Sequence, residues 1–216
     1  MSKQTIWDNL KVRGFSEIAV AAIMGNLEAE SNCISNRIQG DFTSGFQRSA
    51  QYTAQVDAGN IDRHEFIYGG PGGGGYGLAQ WTLHSRKAGL YDLAKKMGTS
   101  IGDEAMQLEW LCQELRLAEY KKVLETLKAS PSIRECSDVI VKIYERPADQ
   151  SEAALKQRAE YGRAMYQKFS AREAEDPDGI PDDTMIRITE EDFKKYTKAI
   201  LIVKTIQDLI ALIKEF

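Results

Sequence analysis

Apolar residues recur at intervals of three and four through most of this chain, and the places where that rhythm stops define its parts. The spacing predicts a short helix over residues 4–13, with Ile6, Trp7 and Leu10 turned inward and Gly14 ending it. Ser16 is suited to cap a second helix, with Glu17 in its first turn. In that helix Val20, Ile23, Met24 and Leu27 form the buried stripe of an amphipathic element. Glu30 falls at one edge of the stripe and Glu28 off the other, and spacing alone does not choose between them. From Ser31 to Thr82 the rhythm fails. Residues 33–49 carry Asn36, Gly40, Asp41, Ser44 and Gly45, a loop composition with room for short strands. Residues 49–57 allow one or two helical turns, and residues 62–66 another. A run of glycines from Gly69 to Gly75, broken by Pro71, ends the excursion. From it Gly75-Tyr76-Gly77-Leu78-Ala79-Gln80-Trp81-Thr82 enters a helix. Helical spacing then returns over residues 83–97, 103–118, 120–128, 132–144 and 151–169, punctuated by Gly98, Pro131 and Pro147.

The expected fold class is therefore mostly α: a helical domain over residues 1–170 with one long, irregular, glycine-rich excursion. Residues 171–184 read as an acidic linker punctuated by prolines. Residues 185–216 read as a C-terminal amphipathic helix, opened by Thr189 and an acidic first turn. Its Ala199, Ile202, Ile206, Leu209, Ile213 and Phe216 make a heptad seam. Three uses fit that seam: packing on the main domain, pairing of copies through residues 190–216, and contact with a cell wall or membrane surface. Lys194, Lys195, Lys198 and Lys204 suit the last.

Composition narrows the function classes. A hydrophobic content of 43% over 216 residues supplies a core and excludes disorder of the whole chain. A net charge of -4 argues against nucleic acid as the partner, because that affinity rests on cations set against phosphates. No stretch approaches the ~18 uninterrupted apolar residues of a membrane helix, and the N-terminus lacks the apolar run of a signal peptide. Cys33, Cys112 and Cys136 are too few and too scattered for a disulfide scaffold and suit a reducing cytoplasm. Gly70, Gly72 and Gly75 satisfy G-x-G-x-x-G, yet no Lys-Ser/Thr follows and no βαβ unit surrounds them, so a nucleotide site is not expected. Cys33 with His64 or His84 shows no thiol-peptidase motif. No His/Cys spacing suggests a metal, and no cofactor is expected.

Four stretches carry a resemblance. Gly25-Asn26-Leu27-Glu28-Ala29-Glu30-Ser31 precedes Gly75-Tyr76-Gly77-Leu78-Ala79-Gln80-Trp81-Thr82, followed by Ser85-Arg86-Lys87 and Gln107-Leu108-Glu109-Trp110-Leu111. With Tyr144-Glu145-Arg146-Pro147 and the helix of Arg158 and Ala159, they resemble the phage tail-lysin family of lysozyme-like domains over residues 4–169. That family is related to goose-type lysozymes and soluble lytic transglycosylases. The resemblance implies an α+β lysozyme-like fold and a peptidoglycan glycosidase. In that superfamily the catalytic glutamate directly precedes a serine at the end of the first core helix, which carries onto Glu30, with Ser31 beside it as a candidate substrate contact. The Gly-Leu-Met-Gln strip of the transglycosylases matches Gly77-Leu78-Ala79-Gln80, with Ala79 in place of methionine. Because that strip lines the sugar cleft, Tyr76 and Gln80 are its candidate substrate contacts. The excursion between the motifs and the tail after Ser170 depart from the family pattern.

The residues fit this chemistry on their own terms. Breaking a glycosidic bond needs a proton on the leaving oxygen. A carboxyl holds one near neutral pH when burial against apolar groups raises its pKa. Glu30, at the rim of the Ile23/Leu27 face, is so placed, whereas Glu28 reads as a salt-bridging surface residue. A second carboxylate decides between a water-activating base and a nucleophile, and the candidates are Asp41, Asp57 and Asp62, with Glu65 also in the excursion. Without one, Glu30 alone serves as acid and then base in a lytic transglycosylase; muramidase hydrolysis is the favoured reading. Trp81 and Tyr76 offer planes for sugar stacking or for core packing, with packing preferred for Trp81. Tyr144 and Glu145 either close the far end of the cleft or serve the chain break at Pro147. The expected partner is bacterial peptidoglycan, met after synthesis in a host cytoplasm and holin-dependent release, or from within a phage tail. The rival from another class is a lysozyme-fold binding module without activity, and an enzyme of chitin-like polymers is a further one.

Overall fold

The computed structural model describes residues 2–69 and 74–170. The expected linker over 171–184, the tail helix over 185–216 with its pairing of copies, and residues 70–73 of the glycine run lie outside the described residues. The observed architecture is mostly α. Helix α1 spans Lys3–Val12, α2 Glu17–Ser31, α3 Gln47–Asp57, α4 His84–Met97, α5 Glu104–Leu115, α6 Lys121–Ala129, α7 Ile133–Val139 and α8 Glu152–Ser170.

Helix α2 is the axis of the domain. Ser16 caps it through a 3.2 Å bond from Ala19 N–H to its Oγ. The amphipathic expectation is corrected here, since every residue from Ala19 to Leu27 is buried. A helix that is apolar all round belongs inside a protein, and α1, α7 and α8 sheathe this one. Its small residues allow the close approach. A β-carbon on Gly25 would stand 2.5 Å from the carbonyl oxygen of Arg158, and one on Gly162 would stand 2.9 Å from that of Ala21. Helices α2 and α8 thus lie backbone against backbone. Helix α1 adds Trp7, whose ring packs on Phe169 at 5.6 Å.

Past Ser31 the chain leaves α2 through Asn32 and Cys33, both left-handed at φ 56° and 58°. The excursion is more ordered than its composition suggests. Where one or two turns are expected, α3 runs for 11 residues. Its inward face is Ser49, Tyr52, Thr53 and Val56, so polar residues on that face disguise the helical spacing. A π-helical turn, Glu65–Gly69, follows. The expected helix entry at Gln80 is also corrected: residues 77–80 form a turn framed by isolated bridges between Tyr76 and both Ile38 and Trp81, and α4 begins at His84. Gly77 at φ 80° permits that turn, and the Gln107 Oε1 would lie 2.6 Å from any β-carbon there.

The expected helix over 132–144 divides. After α7 the chain continues as a π-helical segment, Ile140–Glu145. It stops at Arg146, left-handed at φ 50°.

Candidate active-site cleft

Glu30 stands in the last turn of α2, where the sheathed part of the helix gives way to an open face. It lines a cleft of about 690 Å³. The second wall is the turn Ala79–Gln80 with Thr82 and Leu83, and the third is Tyr144, Glu145, Arg146 and Pro147 at the end of the π-helical segment. Ser31 locks the first two walls together. Its buried Oγ lies 2.8 Å from Leu78 O and 3.1 Å from Leu27 O, so one hydroxyl joins the end of α2 to the turn. Gln107 holds that turn from behind: its Oε1 accepts from Leu78 N–H at 2.9 Å and its Nε2 donates to Ile101 O at 2.8 Å.

A buried carboxylate organises the third wall. Glu114 of α5 is 1% exposed. It accepts from Arg86 Nε at 2.6 Å, Trp81 Nε1 at 2.7 Å and Tyr144 Oη at 2.6 Å. Arg86 closes the loop, with its guanidinium 4.2 Å above the Tyr144 ring. Such a network is stable because every member is satisfied, and it fixes the residue next to Tyr144, which is Glu145.

Among the described residues, the open face of the cleft presents two carboxyl groups. Glu30 Oε1 lies 2.7 Å from Arg158 Nη2 of α8. The contact is an ion pair without an aligned hydrogen bond, and the oxygen is buried. Glu145 is half-buried. Beneath it a small cavity is walled by Leu27, Leu111, Leu115, Leu127 and Ile140. Burial over this apolar floor, and after it the negative charge of Glu30, push the Glu145 carboxyl up to about 8, against the opposing pull of Arg86 and Arg158.

The other residues singled out from sequence fall in different places. Gln80 lines the cleft, its amide donating to Gly77 O at 2.9 Å and Arg37 O at 3.1 Å. Tyr76 is 1% exposed and bonds Thr53 Oγ1 at 2.7 Å, and Trp81 is wholly buried, so both rings pack in the core behind the wall. Glu28 turns away to Lys3, 2.6 Å distant. Asp41, Asp57 and Asp62 do not line the cleft. Asp41 is buried and accepts from the N–H and hydroxyl of both Thr43 and Ser49. Burial works to raise its pKa, but those four bonds outweigh it and hold the carboxyl well below the usual range. Asp57 accepts from Ile101 N–H and Ser100 Oγ, and Asp62 from Glu65 N–H. All three stabilise turns.

Two site residues carry no sequence signal of their role. Arg158 was legible only as part of a helix, and Glu114 as one polar position among several on α5. The thiols contribute nothing here: all three are buried and free, and desolvation pushes Cys112 and Cys136 up to about 11. The two histidines instead flank Tyr68, at ring distances of 4.8 and 4.5 Å. Among the described residues no cluster of His, Cys, Asp or Glu could hold a metal ion, and no helix is long and apolar enough to cross a membrane.

Comparison with known proteins places this cleft in context. A family model described as phage tail lysozyme matches residues 2–169, the whole span that carries α1 to α8. No curated protein matches the chain.

Proposed function

Since this chain belongs to the phage tail lysozyme family, we propose that it cleaves the glycan strands of bacterial peptidoglycan, with Glu30 as general acid. The observation that carries the reading is the position of Glu30, a half-buried carboxyl at the end of α2 opening into a cleft of about 690 Å³. As the glycosidic bond stretches, Glu30 gives its proton to the leaving oxygen. The charge left on its carboxylate is then met by Arg158, already 2.7 Å away. The amide of Gln80, its nitrogen held by two backbone carbonyls, leaves its oxygen to accept from sugar hydroxyl or acetamido N–H groups in the cleft that it lines.

Hydrolysis as an N-acetylmuramidase is the reading we favour. Lytic transglycosylase action is supported by one observation, that Asp41, Asp57 and Asp62 are committed to turns away from the cleft. In that case the substrate's own C6 hydroxyl replaces water and the product ends in a 1,6-anhydro sugar. The setting is wall lysis: release of a free endolysin through a holin, or carriage in a phage tail.

Digestion of purified peptidoglycan by wild type and Glu30→Gln, with mass analysis of the fragments, tests the reading. General acids contribute about 10²–10⁴-fold, so Glu30→Gln is expected to lose at least about 100-fold. Reducing N-acetylmuramic acid ends identify hydrolysis and 1,6-anhydro ends transglycosylation. Full activity of Glu30→Gln removes Glu30 from the mechanism, and an inert wild type on several wall types favours a binding module.

A further inference from the structure

We propose that Glu145 is the second catalytic carboxylate, taking the proton of the attacking water while Glu30 gives its own to the leaving oxygen. The inference rests on the glycosidase reading above and adds to it the residue that activates the nucleophile.

Three observations lead there. Among the described residues, Glu30 and Glu145 are the two carboxyl groups lining the cleft. Glu114, behind the third wall, is occupied by Arg86, Trp81 and Tyr144, and the three aspartates, which do not line the cleft, by turn N–H and hydroxyl groups. The Glu145 side chain, by contrast, makes no hydrogen bond among the described residues, although the Glu114 network holds its neighbour Tyr144 fast and Arg86 Nη1 bonds the Tyr144 carbonyl at 3.3 Å. A carboxyl held in position and left unbonded is free to take a proton.

The charges set the protonation state. The groups that face Glu145 are Glu30 of α2, Arg86 of α4, Glu114 of α5 and Arg158 of α8. Arg86 and Glu114 cancel as a buried pair. What remains is one cation, Arg158, against two carboxyl groups, and the site is neutral when those two share a single proton. The apolar floor beneath Glu145 disfavours a second negative charge. The proton then belongs to the pair rather than to either residue: burial favours it on Glu145 at rest, and the arrangement that reacts is the one with Glu145 ionised and the proton on Glu30. That is the condition a hydrolase needs.

The step balances. An oxygen lone pair of water forms the new bond to the anomeric carbon, and the electron pair of the breaking C–O bond goes to the leaving oxygen. That oxygen receives the Glu30 proton, and Glu145 receives the proton lost by water. The pair ends with its single proton on the opposite partner, and exchange with solvent restores the start.

The test compares wild type, Glu145→Ala and Glu145→Gln on soluble peptidoglycan fragments, with and without azide, after thermal melts show that both variants fold. Expected are a kcat loss of at least about 100-fold in Glu145→Ala, little change in KM, and rescue by azide with a glycosyl azide as product, because azide attacks without needing a base. In Glu145→Gln, close in shape but unable to take a proton, kcat falls by a comparable factor. A raised KM with kcat retained, or no azide product, reduces Glu145 to a substrate contact and overturns the proposal. If wild type cuts, Glu30→Gln is dead and Glu145→Ala cuts normally, this inference alone falls; if wild type is inert, it falls together with the glycosidase reading.

Discussion

Gly25 of α2 and Gly162 of α8 face each other so closely that a β-carbon on Gly25 would lie 2.5 Å from the Gly162 backbone nitrogen. The contact sets the spacing of the two longest helices among the described residues, and through it the reach of Arg158, one turn before Gly162, towards Glu30. Gly25→Ala is expected to force the helices apart. Overpacking of this kind costs about 1–3 kcal/mol, and urea unfolding measures it. Activity falls more than the stability loss alone explains, because Arg158 retreats from Glu30.

Glu114→Ala strips a buried arginine, a tryptophan N–H and a tyrosine hydroxyl of their common acceptor. Breaking a buried ion pair by removing one partner costs about 3–5 kcal/mol. The expected result is a chain that unfolds at much lower urea and, where still folded, has lost the fixed position of Tyr144 and Glu145. Equilibrium unfolding followed by tryptophan fluorescence is well suited, since Trp81 is itself a ligand of that carboxylate.

Arg158→Gln changes the pH profile in a defined direction. Arg158 is one of the cations that pull the Glu145 carboxyl down, and it touches Glu30 directly. Without it the Glu145 carboxyl, and with it the proton that the pair shares, is held to higher pH, so the alkaline limb of activity moves up, while kcat falls for want of a cation beside Glu30. A rate profile taken between pH 5 and 10 on soluble glycan fragments reads both effects. An alkaline limb that moves down, or stays, removes Arg158 from the electrostatics of the pair.

Asp41→Asn is expected to spare kcat and lower stability with a characteristic pH dependence. The folded carboxyl titrates below its unfolded value, so its contribution is complete above the unfolded pKa of about 3.9 and is lost as pH falls below that. The stability difference between wild type and variant is therefore largest near neutrality and shrinks towards pH 3. Urea midpoints at the two pH values check the sign. A large kcat loss in folded Asp41→Asn would return that residue to the catalytic candidates.

Much of the helical framework was legible because its signals are local. Ser16 and Gly98 mark helix ends at the residues where the chain turns, and Ile6, Trp7 and Leu10 show their period directly. Helix α3 was shortened in the reading because Ser49 and Thr53 stand on its buried face, where period counting expects apolar residues. For the site, Glu30, Gln80 and Glu145 could be named from their motifs, and they line one cleft. The aspartates could not be sorted, since a carboxylate that ties a turn and one that faces a substrate occupy the same loop compositions. Glu114 and Arg158 were illegible for a related reason. Each sits on a helix as one charge among others, and its partner comes from a segment far along the chain.

The π-helical segment Ile140–Glu145 has a consequence for how such a cleft can be lost. A π turn carries one more residue than an α turn, so position 145 owes its orientation to a single added peptide unit. Removing one residue between Ile140 and Tyr144 would let the segment relax to an ordinary α-helix. Everything after the deletion would then swing about 100° around the axis, taking the Glu145 side chain out of the cleft while Glu30 stayed in place. A lineage could in this way pass from a cutting protein to a mere binder by a three-nucleotide deletion that leaves every glutamate in the gene.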